Sequence, residues 1–365
     1  MKDYKGTKWN EIDVADYGNL IALLRQYKLK VLRHLARTHG MPGYSQLGKD
    51  QLAMALARYI LQPQIMKRYF SCADDQEIKV YEQLAAQAGT PCSLTEKGSD
   101  YLYMGGYCME TTGGQLMVPA AVAKAYEHIN TEKFHKRRRL VYRVWSYMNA
   151  AIYLYGICRP EQITALYNLH ESDVLPEPEL HGIFRELEPV RGRFIYQNGW
   201  FADTSLVESG AYRDVLCDQK GIRAFVPDRE MIREIGEMGL CEPDRQLMPM
   251  INFFLRNFQV GREAAAKDAF EIHHMIRFGA DGLDVSNRMA ELGMILDSDE
   301  KASDFEQTMD RVWNDTRQIG LNGHTRAEVE AAAGPGQAVS LRERKTVPAM
   351  LWTGERAGVS AFYGK

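Results

Sequence analysis

Residues 24–61 read LRQYKLKVLRHLARTHGMPGYSQLGKDQLAMALARYIL. Leu29, Leu32, Leu35 and Ala36 recur at spacings of three and four, which puts them on one side of a helix. Leu52, Leu56, Tyr59 and Ile60 repeat the pattern in a second segment. Between the two, Gly40, Pro42, Gly43 and Gly48 punctuate the chain as a compact turn. The stretch is therefore expected to form a two-helix hairpin closed on a leucine seam. Its charge is one-sided: Arg25, Lys28, Lys30, Arg33, Arg37, Lys49 and Arg58 are cationic, and Asp50 is the only acid. At about 100° per residue, Lys30, Arg33 and Arg37 share a face turned away from the leucines. A basic face on a small helical module suits a phosphate backbone.

The spacing of Leu32, Leu35, Gly40, Gly43, Tyr44, Ser45, Leu47, Lys49 and Leu52 gives the pattern Leu-x-x-Leu, glycine, Gly-Tyr-Ser-x-Leu-x-Lys-x-x-Leu. In this the stretch resembles the SAP module and the related N-terminal module of transcription termination factor Rho. The resemblance covers about a tenth of the chain. It implies a hairpin that binds DNA or RNA. It would engage Lys28, Lys30, Arg33, Arg37, Tyr44, Lys49 and Arg58. Hairpins of this build also serve as protein-docking or spacer elements.

A chain of 365 residues is expected to divide into two or three domains. Its 45% hydrophobic and 25% charged content are those of a soluble globular protein. The net charge of −3 leaves any nucleic-acid contact to local basic patches. The six cysteines are scattered, with no CxxC pair, which argues against a zinc knuckle and against a secreted disulfide scaffold. The polar start MKDYKGTKWNEID lacks a signal core, and no apolar run has the length of a membrane helix. The expectation is a cytoplasmic protein, bacterial or phage-encoded, with no membrane contact.

Along the chain, residues 1–23 are expected to lead in as an N-terminal helix, and 62–78 to form a joint that Pro63 opens. Residues 77–130 suggest a winged-helix-like unit. A helix over 77–86 and a Gly-Gly stop at 105–106 come first, then strands at 107–109 and 116–118 around Thr112–Gly113–Gly114, and a helix after Pro119. The basic run 133–139, KFHKRRR, joins this unit to the next. It reads either as a solvated helix start or as a second nucleic-acid contact through Lys136, Arg137, Arg138 and Arg139.

Residues 140–212 suggest a clearer winged-helix-like unit, with helices over 140–155, 160–168 and 177–187 and a hairpin turning at Asn198–Gly199. Its third helix carries Glu177, Glu179 and Glu186 against Arg185 alone, so it suits protein contact better than a DNA groove, with Arg191 and Arg193 left for phosphate. Residues 228–330 alternate apolar and charged faces as a helical bundle, and 331–365 read as an extended tail. Residues 149–202 and WNDTRQIGLNGHTRAEV (313–329) resemble uncharacterised bacterial proteins that end in a SEC-C zinc motif. The Cys-rich motif itself is missing, so the resemblance carries no metal site.

No catalytic signature stands out. His273 and His274 are adjacent and diverge on a helix, so they do not form an i, i+4 metal pair. Asp281/Asp284 and Asp297/Asp299 sit where aspartates cap helices. The expected architecture is mainly α: a SAP/Rho-N-like hairpin, winged-helix-like units with short β-hairpins, and a C-terminal helical bundle. The expected role is non-enzymatic, backbone-dominated DNA or RNA binding with protein-interaction domains and no cofactor, in a regulatory or phage-related setting. The alternatives are a protein-binding adaptor or inhibitor that touches no nucleic acid and, third, a metal-dependent nuclease.

Overall fold

The computed structural model describes residues 14–92, 100–110, 115–187 and 194–333. The protein is mainly helical, with nineteen α-helices and five strands of two to four residues among the described residues. The described parts of Met1–Trp145 and His181–Gly192 form one compact unit, and those of Ser146–Leu180 and Arg193–Lys365 a second.

The first unit opens with α1 (Val14–Gln26), α2 (Leu29–Thr38) and α3 (Lys49–Ile60). Leu32, Leu35 and Ala36 of α2 and Leu52, Ala53, Leu56, Ala57 and Ile60 of α3 are buried, so the leucine seam closes as its spacing requires. Gly40 stops α2 at φ 66°, where a side chain is disfavoured. Its N–H bonds Arg37 O at 2.9 Å and the next N–H, of Met41, bonds Ala36 O at 2.8 Å, which satisfies two otherwise orphaned carbonyls.

Next come α4 (Pro63–Phe70), α5 (Asp75–Ala85), α6 (Asp100–Met104), β1 (Met109–Glu110), β2 (Leu116–Met117) and α7 (Ala120–Glu127). Residues 62–78 are thus more than a joint. Pro63 opens α4, where its missing N–H costs nothing, and Ile65, Met66, Tyr69 and Phe70 are buried. Asp74 caps α5 by accepting from Glu77 N at 2.7 Å. Strands β1 and β2 pair antiparallel, Met109 with Met117 and Glu110 with Leu116. Thr112–Gly113–Gly114, read as their turn, lies outside the described residues, as do residues 1–13, Arg191 and Arg193.

One continuous core gathers Leu32, Leu56, Phe70, Tyr81, Tyr107, Val122 and Tyr126. Tyr69 stacks on Tyr101 at 4.4 Å, and Phe70 meets Tyr81 and Tyr107 edge-on at 4.9 Å each. The hairpin 24–61 and the segment 77–130 therefore share an interior. The sequence periodicity alone had set them apart, because it reports one element at a time.

Helix α8 (Glu132–Tyr155) has residues in both units. It begins eight residues before the predicted start at 140, so the basic run forms its first two turns and is no linker. After it follow β3 (Ile157–Cys158), α9 (Pro160–His170), α10 (Glu177–Leu187), β4 (Phe194–Gln197) and β5 (Trp200–Asp203). The sheet order is β3-β5-β4, antiparallel throughout, with Ile157 opposite Ala202 and Tyr196 opposite Phe201. Two-residue β3 escapes a pattern search that needs several alternations.

The rest of the second unit is helical: α11 (Thr204–Ser209), α12 (Tyr212–Asp218), α13 (Arg229–Met238), α14 (Pro243–Gln246), α15 (Met248–Asn257), α16 (Arg262–Arg277), α17 (Gly282–Glu291), α18 (Asp299–Asp315) and α19 (Arg326–Ala333). Helix α15 packs on α14, α16 and α18. The segment 313–329 folds as a latch. Arg317 donates to Gly323 O at 3.2 Å and Glu328 at 3.1 Å, and its guanidinium lies 3.7 Å over the Phe225 ring. Helix α19 takes the first residues of the predicted tail, and 334–365 lie outside the described residues.

Candidate nucleic-acid interface

On the hairpin, Lys28, Lys30, Arg33, Arg37, Lys49 and Arg58 are all exposed. None of these six side chains makes an ion pair or hydrogen bond with another described residue; Arg25 instead takes the hairpin's only acid, Asp50, at 3.2 Å. Tyr44 sits in a 3-10 turn over Tyr44–Gln46 and is half-buried against the core, so only part of its ring is open to a ligand.

The placement of the lysines bears on what they do. Lys28 is the N-cap of α2 and Lys30 lies in its first turn, which holds no acid. Lys49 is the first residue of α3. A helix N-terminus carries partial positive charge and favours carboxylates, so lysines there cost a few tenths of a kcal/mol. Their positive charge adds to that of the helix ends, which is the arrangement an anion prefers.

The second basic stretch divides its four cations. Lys136 and Arg139 are exposed. Arg137 is half-buried and pairs with Glu186 at 3.1 Å. Arg138 is only 2% exposed, donates to Ala73 O at 2.8 Å and pairs with Asp75. This corrects the expectation for Arg138. Four consecutive residues on a helix spread over about 300°, so one of them turns inward, and here it ties α8 to the start of α5. Lys136, Arg139 and Arg143 share a face at spacings of three and four. With Arg138, Asp75 and Tyr142 they line a cleft of about 270 Å³. Sequence reasoning missed Asp75, Tyr142 and Arg143, because a helix started at 140 does not carry the phase from 136 to 143.

The other chemical candidates are structural. Asp281 and Asp284 accept from each other's backbone N–H, at 2.9 and 3.1 Å, as a capping box. Asp297 pairs with Lys301 at 2.8 Å, while Ser298 caps α18. His273 is buried with Nε2 2.7 Å from Gln246 Oε1; burial, then Arg277, pushes its pKa down to about 3, so it is neutral. Burial pushes the Cys108 thiol up to about 12 and, before its neighbours act, the Cys241 thiol up to about 11, which makes both poor nucleophiles. Among the described residues no three His, Cys, Asp or Glu side chains gather as a metal site, and no helix is long and apolar enough to cross a membrane. Compared with known proteins, the chain matches no family model, no curated sequence and no solved structure.

Proposed function

We propose that this chain is a non-enzymatic nucleic-acid-binding protein whose α2–α3 hairpin grips the phosphate backbone of DNA or RNA. The observation that carries it is the set of six exposed, unpaired cations on that hairpin, half of them set against the helix ends where they cost stability. The likeness to SAP and Rho N-terminal modules supports the same reading. No base-reading group is evident on α2 or α3, so the grip is sequence-independent. The remaining helical surfaces serve protein contacts, in a regulatory or phage-related setting.

Fluorescence anisotropy on duplex DNA, single-stranded DNA and RNA at about 50 and 200 mM salt tests it. Binding should weaken steeply with salt, with a log–log slope on duplex DNA no steeper than about −5 if all six cations meet phosphates. The triple variant Lys30→Glu, Arg33→Glu, Arg37→Glu should lose binding. No binding of any of the three at the lower salt overturns the proposal and favours a protein-binding adaptor.

A further inference from the structure

The cleft beside α8 has a composition of its own. Four cations and a single acid line it: Lys136, Arg138, Arg139 and Arg143 with Asp75, and Tyr142 completes the wall. Asp75 is committed to Arg138, so it offsets only that cation. Lys136 and Arg139 are exposed, with no side-chain partner among the described residues. Arg138 is buried, and its Nε–H has no acceptor although both of its terminal nitrogens are engaged. A buried donor without an acceptor is uncommon in a folded chain. The field of the cleft reaches His135, which burial first, then Arg138, push below the ordinary histidine range.

We infer that this cleft is an oxyanion site that takes a phosphate monoester, carried either by a free mononucleotide or by the 5′ end of a strand. Forked guanidinium donors match the geometry of phosphate oxygens. A volume of about 270 Å³ lies at the small end of ligand pockets, with room for one phosphorylated group and not for a run of backbone. Tyr142 sets an aromatic ring beside the cations, the pairing on which a base stacks. The inference does not rest on the hairpin, which this ligand need not touch.

Calorimetric titration of the whole chain with adenosine 5′-monophosphate and with adenosine is the direct test. It is joined by anisotropy with 5′-phosphorylated and 5′-hydroxyl oligonucleotides of one sequence. The monophosphate should bind and adenosine should not. The double variant Lys136→Ala, Arg139→Ala removes only exposed side chains, so its melting curve should be unchanged, and it should bind the monophosphate about tenfold or more weakly. The variant Lys30→Glu, Arg33→Glu, Arg37→Glu should bind the monophosphate as the parent does. A preference for the phosphorylated oligonucleotide assigns the phosphate to a strand end; equal binding of the two oligonucleotides with the monophosphate still bound assigns it to a free nucleotide. Equal affinity for monophosphate and adenosine, no binding of either, or a double variant that binds as well as the parent overturns the inference. Failure of the hairpin proposal shows separately, as absence of salt-sensitive oligonucleotide binding.

Discussion

His39 sits in the interior of the first unit with Nε2 2.8 Å from Gly105 O. A carbonyl only accepts, so Nε2 carries the proton, and Nδ1 is left without a partner. Burial holds its pKa down at about 4. Below about pH 6.5 the unfolded chain therefore takes up a proton that the folded chain refuses. The stability contributed by neutral His39 is complete above pH 6.5 and is lost as the pH falls toward 4, by on the order of 3 kcal/mol. Urea titrations of the first unit between pH 7 and 4.5 should show this slope, and His39→Gln should flatten it; an unchanged slope would remove His39 from the account. Its neighbour Gly105 is fixed by space. A Cβ there would fall inside the ring of Tyr69, 2.8 Å from its hydroxyl. That ring is stacked on Tyr101 and its hydroxyl donates to Tyr101 O at 2.9 Å, so it has nowhere to swing. Gly105→Ala should cost about 1–3 kcal/mol in equilibrium unfolding.

At the scale of elements, the β4–β5 hairpin shows what a short motif can fix. Asn198 and Gly199 both have positive φ, 54° and 82°, as a two-residue turn of this hand requires. Gly199→Ala meets an unfavourable backbone and a contact with Arg159 at 3.1 Å, and should lower stability by about 1–2 kcal/mol, read as a shifted urea midpoint with an unchanged slope. That turn, the leucine seam of α2 and α3 and the helices α9 and α10 were legible in the sequence because each is specified by residues close in the chain. Helix α4 was not, since a proline signals both a stop and a start, and only the burial of Tyr69 and Phe70 decides between them. Nor was the inward turn of Arg138. Periodicity locates a face, whereas its partners Ala73 and Asp75 are more than sixty residues away. The hairpin cations were found because exposed charge is a local property; the cleft on α8 was missed because it needs the phase of one helix and the start of another.

For the whole molecule, the contrast is between a net charge of −3 and a hairpin with seven cations and one acid. Total charge and local face make different forecasts. Reversing Lys30, Arg33 and Arg37 to Glu, or reversing the exposed Lys220, Arg262 and Lys267 of the second unit, changes the charge by two per position, so both variants reach −9. If the grip is local, the first variant should lose nucleic-acid binding, while the second keeps its affinity within a few-fold at about 150 mM salt, where exposed charges more than ~8 Å apart are largely screened. Equal losses in anisotropy would make the effect one of overall charge.

Lysines at the starts of α2 and α3 also leave the free hairpin electrostatically frustrated. Salt then acts on it with two opposite signs. Counterions relax the repulsion among these side chains and the helix ends, so the unliganded hairpin firms up as ionic strength rises. The same counterions displace a bound polyanion, which would otherwise supply that relief itself. Ligand and salt are thus rival remedies for one built-in tension, and the fold is tautest when it has neither.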